Sequence, residues 1–153
     1  MSKIEQKLIE LGFPLPTVAK PVAAYVPSVV TGNLCFTSGQ LPFVDGALPQ
    51  VGKVGRDVTA EDAKDLARLC ALNALAALKL AIGDLDRVTR IVKVVGFVSV
   101  VPEFTAIPGV INGASEFLGE VFGEVGAHAR SAVGVPALPL DSAVELEIIA
   151  EFK

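Results

Sequence analysis

Two charged residues near the carboxyl-terminal end are the best candidates for chemistry in this sequence, Arg130 and Glu145. Arg130 opens an otherwise apolar segment that is typical of a strand, and Glu145 lies in a later segment in which apolar and acidic residues alternate. A buried guanidinium is costly unless a carboxylate pairs with it, and its planar fork suits a bidentate contact. Two interpretations therefore stay open: Arg130 binds an anionic ligand, or it forms a structural ion pair with Glu145 across neighbouring strands of a hairpin.

A second candidate is the segment 37–42, which reads Thr-Ser-Gly-Gln-Leu-Pro. A glycine inside a strand indicates that a ligand or another part of the chain approaches the backbone closely at Gly39. The hydroxyl of Ser38 adds a small polar group beside it. The alternative interpretation is a β-bulge at this point of the strand.

The motifs of several enzyme classes are missing from the sequence. We find no Ser–His–Asp context, no dinucleotide-binding glycine motif, no P-loop and no histidine pair. The two cysteines, Cys35 and Cys70, have no metal-ligand spacing and are expected to be reduced and buried, so we expect neither metal nor cofactor. The only histidine, His128, is a candidate acid–base group, although a rim position without chemistry is the other interpretation.

The composition indicates a single α+β domain, 1–153, that covers apolar surface with a partner. Hydrophobic residues make up 52% of the 153 residues and the mean hydropathy is +0.58, yet no apolar run reaches the roughly 18 residues of a spanning helix. An identical partner is therefore expected rather than a membrane. The net charge of −4 and the lack of a basic cluster argue against nucleic acid. The amino terminus does not resemble a signal peptide, which favours a cytoplasmic location.

The pattern of residues predicts a mixed sheet with two main helices packed on one face and a short N-terminal helix. Residues 1–19 form that helix, opened by a capping box at Ser2 and Glu5, and an extended lead-in containing prolines. The long helix begins after Thr59 and ends at Gly83. The predicted strands are 25–30, 34–40, 88–101, 130–135 and 143–152, and the second main helix is 112–122.

A longer set of motifs resembles the RidA/YjgF family, the reactive intermediate deaminases with the older label endoribonuclease L-PSP. The motifs follow the family's order from about residue 20 to the end of the chain: Tyr25, Gly32-Asn33, Thr37-Ser38-Gly39-Gln40-Leu41-Pro42, Asn112, Ala129-Arg130-Ser131, Leu138-Pro139 and Val144-Glu145-Leu146-Glu147. The third group and the last three groups of this series together make the resemblance specific.

The resemblance implies a chorismate-mutase-like fold and a homotrimer with sites in the clefts between subunits. It also implies hydrolysis of 2-imino acids, or their enamine tautomers, to 2-keto acids and ammonia without a cofactor. By position, Arg130 matches the arginine that binds the substrate carboxylate, and Glu145 matches the glutamate that holds the attacking water. The substrate-binding matches are Tyr25, which closes the cleft, Ser38 and Gly39 in the pocket, Asn112 at the start of the second helix, and Ala132.

Three residues close in sequence to the matched arginine or to the matched asparagine depart from the family pattern. Ala132 stands where the family often has cysteine, His128 where proline is frequent, and Ser115 where an aromatic residue is usual. These changes keep a second interpretation open, a module that binds small carboxylates without turnover. RNA cleavage, which the older label suggests, is disfavoured by the acidic net charge.

Overall fold

The computed structural model describes residues 1–18 and 23–153. Its helices and strands are, in chain order, α1 (Lys3–Glu10), β1 (Ser28–Thr31), β2 (Leu34–Thr37), α2 (Ala60–Ile82), β3 (Val88–Ser99), α3 (Ile107–Phe122), β4 (Ala129–Val135) and β5 (Val144–Phe152). Of the predicted lead-in, Pro14 and Pro16 lie in chain without regular structure, and Pro21 lies outside the described residues. None of the helices in the described ranges is long and apolar enough to cross a membrane.

The sheet has the strand order β1-β2-β5-β3-β4, with β3 and β4 parallel and the other pairs antiparallel. Both main helices pack on one face, which confirms the predicted α+β class. The predicted hairpin between the strands of Arg130 and Glu145 is wrong, because β3 lies between β4 and β5. The chain leaves β3 through α3 and returns beside it, and a parallel pair needs such a crossover.

Two of the three helices begin at the capping residue that the sequence predicts. The Oγ of Ser2 accepts from the amide of Glu5 at 3.1 Å, and the Oγ1 of Thr59 accepts from the amide of Asp62 at 3.1 Å. The predicted start of the second main helix at Asn112 is wrong, because α3 begins at Ile107 and Asn112 lies inside it. α3 has a proline in its first turn, a position that is compatible with the start of a helix. The sequence-based prediction does not include this signal.

The first strand is shorter than predicted. β1 begins at Ser28, so Tyr25 precedes the strand and is 56% exposed. Pro27 lacks the amide hydrogen that a ladder needs and still accepts from the amide of Ser38 at 2.8 Å. The turn at Gly32, with φ of +58°, joins β1 to β2 as predicted.

One continuous apolar core lies between the sheet and the two main helices. The inward side chains of β5 are buried, as its alternation predicts, and they face α2 (Val144, Leu146, Ile148 and Ala150). Both cysteines are free and buried in this core, as predicted, and burial raises the pKa of each thiol. The two thiols therefore act as apolar core groups rather than as nucleophiles.

The two main helices touch at Gly113, and this contact fixes where α3 presents its polar side chains. A Cβ at Gly113 would lie 2.0 Å from the backbone oxygen of Lys64 on α2. We expect Gly113→Ala to lower the free energy of unfolding by about 2–4 kcal/mol, because backbone cannot move aside as a side chain can. Denaturant titration of purified protein measures the change.

The matched control for that prediction is Gly119→Ala on the same helix. A Cβ at Gly119 would meet nothing within 4 Å. The alanine should therefore leave stability unchanged or raise it by roughly 0.5–1 kcal/mol through helix propensity. Equal effects of the two substitutions would contradict the assignment of Gly113 as a close helix contact.

Candidate functional site

Arg130 is held by two side chains of α3. Its Nη1 donates to the Oδ1 of Asn112 at 2.7 Å and to the Oγ of Ser115 at 3.2 Å. Residues three apart on a helix lie on the same face, so one turn of α3 supplies both acceptors. Arg130 itself lies on β4, the edge strand beside that helix.

The guanidinium keeps an unused edge. Both Nη1 protons are directed at α3, and within the described part of the chain neither Nε nor Nη2 of Arg130 makes a hydrogen bond. The Nε–Nη2 edge offers two parallel donors, which is the geometry that a carboxylate accepts in a bidentate pair. The group is therefore oriented by its neighbours and still able to bind an anion.

His128 contacts the same cluster. Its Nε2 lies 2.8 Å from the Oγ of Ser115, and its Nδ1 lies 2.6 Å from the carbonyl oxygen of Gly126. Two of the departures from the family pattern, Ser115 and His128, thus form one contact. Helical spacing from Asn112 could have placed Ser115 beside Arg130, but no sequence signal pairs Ser115 with His128.

Glu145 lies against the backbone at Gly39. A Cβ at Gly39 would be 2.9 Å from the Cδ of Glu145, so only glycine leaves room for the carboxylate in this position. A bulge is also present here, because β2 and its extension advance four residues between the Phe36–Ile149 and Gln40–Leu146 pairs while β5 advances three. Both sequence interpretations of Gly39, close approach and bulge, describe the same feature.

Burial changes the ionisation of Glu145. Partial burial raises the pKa of its carboxyl above the ordinary glutamate value, and the nearby charge of Glu147 raises it further. A carboxylate with a raised pKa is a better proton acceptor than a solvated one. In the described part of the chain Glu145 makes no ion pair, and the predicted alternative of a structural pair with Arg130 is wrong.

The two residues point to opposite faces of the sheet. Arg130 pairs with Val94 on β3, and Glu145 pairs with Phe97, three residues further along the same strand. Side chains an odd number of residues apart on a regular strand face opposite ways. Arg130 therefore lies on the helix face and Glu145 on the open face, with β3 between their strands.

The other predicted site residues divide into a group around Arg130 and a group around Gly39 and Glu145. Ala132 pairs with the buried Gly96 and lies on the side of Arg130, with Asn112. The hydroxyl of Ser38 donates to the carbonyl oxygen of Val26 at 2.5 Å, which holds the chain next to Tyr25 close to Gly39. One group is thus Arg130, Asn112 and Ala132, and the other is Glu145, Gly39, Ser38 and Tyr25.

A mixed five-stranded sheet with two helices on one face, and an oriented arginine on its edge strand, defines an α+β protein of the chorismate-mutase-like class. The chain belongs to the YjgF/chorismate mutase-like endoribonuclease family, whose profile matches residues 5–152.

Known proteins of this family match most of the chain. The crystal structure of the protein Atu1372 from Agrobacterium tumefaciens, of unknown function, has a TM-score of 0.93 and 48% identity, covering 98% of this chain and 92% of that one. The 2-iminobutanoate/2-iminopropanoate deaminase of Escherichia coli K12 is 35% identical over 131 residues, 84% of this chain and 88% of the relative. The structure of E. coli TdcF with bound serine has a TM-score of 0.66 and 28% identity, covering 89% and 94% of the two chains.

Proposed function

We propose that this protein hydrolyses 2-imino acids, or their enamine tautomers, to 2-keto acids and ammonia. The observation that carries the proposal is the arginine on the edge strand, whose Nη1 is bound by α3 and whose Nε–Nη2 edge makes no hydrogen bond to the described residues. Such an edge binds a carboxylate, and every 2-imino acid carries one. Arg130 is too basic to exchange a proton, so its role is to anchor the substrate and stabilise its negative charge.

Glu145 supplies the second part of the proposed chemistry. Its partly buried carboxylate orients a water molecule and accepts one of its protons as the oxygen bonds to the imine carbon. The nitrogen then gains one proton back from Glu145 and one from the hydroxyl of the tetrahedral adduct. The carbon–nitrogen bond breaks, ammonia leaves, the carbonyl of the 2-keto acid forms, and Glu145 is again a carboxylate. No oxidant or reductant takes part.

A homotrimer is part of the same proposal. Two strand spacings of about 4.8 Å and the thickness of the sheet separate the Arg130 and Glu145 side chains within one chain, too far for both to act on one small imino acid. A cleft between subunits could join Arg130 of one subunit to the open face of the next. Apolar side chains exposed on that face support such an interface (Val29, Phe36 and Val133).

The relatives support the proposed substrate class. One of them is named a 2-iminobutanoate/2-iminopropanoate deaminase, and TdcF has been crystallised with serine, a small ligand that also carries a carboxylate. The proposal treats 1–153 as one domain because a single core joins its elements. It places the protein in the cytoplasm, in keeping with two free cysteines.

The test is an assay in which an amino-acid oxidase generates imino acids from a panel of amino acids. We expect the purified protein to accelerate loss of the imine, with 2-iminobutanoate and 2-iminopropanoate among the substrates. If no imine is hydrolysed faster while 2-oxobutanoate still raises the melting temperature, the chain is a carboxylate-binding module and the proposed activity is wrong.

A further inference from the structure

We propose that Ser115 and His128 are positioning residues that lock the guanidinium of Arg130 with its Nε–Nη2 edge turned towards the ligand. Neither Ser115 nor His128 is among the positions that match the family's site residues. The consequence for substrate binding rests on the proposed function. The hydrogen bonds that Ser115 and His128 make can be tested without any substrate.

The direction of each hydrogen bond follows from the chemistry of its end points. The carbonyl oxygen of Gly126, 2.6 Å from Nδ1 of His128, can only accept, so Nδ1 carries the proton. In the neutral ring Nε2 is then an acceptor, and the hydroxyl of Ser115 donates to it at 2.8 Å. The same oxygen accepts from Nη1 of Arg130 at 3.2 Å. The three bonds form one directed relay from Arg130 to Gly126.

The relay ends on rigid backbone. Gly126 is buried at the end of the 3-10 turn Gly123–Gly126, which packs against α3. Ser115 lies within α3, whose contact with α2 at Gly113 fixes its position. Because both ends of the relay are fixed, the hydroxyl of Ser115 cannot rotate freely, and it holds its lone pair towards Arg130.

A second acceptor makes the orientation unique. Asn112 accepts one Nη1 proton at 2.7 Å, and Ser115 accepts the other. With one acceptor the guanidinium could turn about that bond, whereas with two its plane is set. A carboxylate then meets the donor pair without first paying the cost of ordering the side chain.

Nitrogen-15 NMR of His128 is the direct test, because the protein has one histidine and its ring signals need no assignment. At about pH 9, where an imidazole is neutral, we expect the proton on Nδ1 and an unprotonated Nε2 that accepts the hydrogen bond from Ser115. Ser115→Ala should move the Nε2 signal, and Glu120→Ala, on an exposed part of the same helix, should not. A proton on Nε2 in the wild type would overturn the proposal.

The link to Arg130 is tested by a double-mutant cycle read at the same nitrogen. Arg130→Gln should shift the Nε2 signal when Ser115 is present and leave it unchanged in the Ser115→Ala background. A shift of equal size in both backgrounds would mean that Ser115 does not transmit the contact, and the relay would be refuted.

The kinetic consequence separates positioning from a merely structural role. Ser115→Ala should raise KM for the imino acid about tenfold with kcat within about twofold, and Ser115→Thr, which keeps the hydroxyl, should restore KM. Unchanged KM in an active Ser115→Ala variant would contradict the positioning role. If the wild type is inactive, the proposed function fails, while the NMR result still decides whether the relay exists.

Discussion

Arg130→Ala should lower kcat/KM for 2-imino acids by about 10²–10⁴-fold, since each of two charge-assisted hydrogen bonds to the substrate carboxylate contributes about 1.5–3 kcal/mol. Arg130→Lys should recover only part of the loss, because an ammonium keeps the charge but not the planar pair of donors. Fold and assembly should survive, because Arg130 is partly exposed on an edge strand and its partners are polar side chains of α3.

The matched control for Arg130 is another arginine of the sheet. Arg90 lies on β3, and its one hydrogen bond in the described structure is a 3.5 Å contact with the carbonyl oxygen of Ala127. Arg90→Ala should keep the activity of the wild type, measured by imine loss in the oxidase-coupled assay. Comparable losses in the two variants, or full activity of Arg130→Ala in a folded protein, would remove Arg130 from the proposed site.

The sequence predicted those elements of the fold that depend on interactions between residues close to one another in the chain. The alternation of β5 and the caps at Ser2 and Thr59 each fixed an element, because burial and hydrogen bonding act within a few residues. The start of α3 could not be fixed in the same way. Two glycines and a proline in its first half lower the local helix propensity, and tertiary packing of Gly113 on α2 outweighs it.

The sequence identified Arg130 and Glu145 as candidate site residues, but it did not show which strands lie side by side in the sheet. Arg130 and Glu145 are both visible as charged residues in strand segments, and a connection of eight residues between β4 and β5 suits a hairpin. The sheet instead places β3, a long strand rich in β-branched residues, between them, and β3 is hydrogen-bonded to β4 on one edge and to β5 on the other. Sequence spacing indicates which residues can do chemistry, whereas the face on which each lies depends on register with a third strand.

The pairing of Ser115 with His128 shows a further limit. The sequence marks each residue as a departure from the family pattern, but it does not indicate that the two side chains meet. Their contact depends on how the turn after α3 brings the chain back to β4, and no periodicity encodes that turn. The contact matters because Ser115 and His128 are both departures from the family pattern, and Ser115 links them to Arg130, the proposed substrate anchor.

Glu145→Gln should lower kcat by about 10²–10⁴-fold, the usual contribution of a general base. The amide keeps the shape of the side chain and its fit against Gly39, but it cannot accept a proton from water. KM should change much less than kcat, because the anchoring arginine is untouched. Single-turnover measurement of imine loss, with the enzyme at a saturating concentration and in excess over the substrate, gives the chemical step directly.

Gly39→Ala is the companion variant for Glu145. The new Cβ would lie 2.9 Å from the Cδ of Glu145 and force the carboxylate out of its position without removing it. Activity should fall in this variant although every proposed catalytic group is still present. Full activity in Gly39→Ala would mean that the observed position of Glu145 is not the working one.

Ionisation of Glu145 should affect activity and stability in opposite ways. As the pH rises and the carboxyl ionises, activity should increase and the contribution of Glu145 to stability should decrease. Burial and the charge of Glu147 raise the pKa of its carboxyl, so the ionised base is lost, and kcat/KM falls, at a higher pH than for an exposed glutamate. A raised pKa in the folded state also means that the fold favours the protonated form. The contribution of Glu145 to stability is then fully present below the pKa of the unfolded chain and is lost as pH rises through the folded pKa.

This linkage yields a result that a purely structural role for Glu145 would not give. At neutral pH, Glu145→Gln should unfold at a higher denaturant concentration than the wild type, because it removes a charge that the fold disfavours. The difference should shrink as the pH is lowered and the wild-type carboxyl becomes protonated. A variant that is both inactive and less stable at neutral pH would indicate that the carboxylate supports the fold, whereas an inactive and more stable one indicates that it is retained for chemistry at the expense of stability.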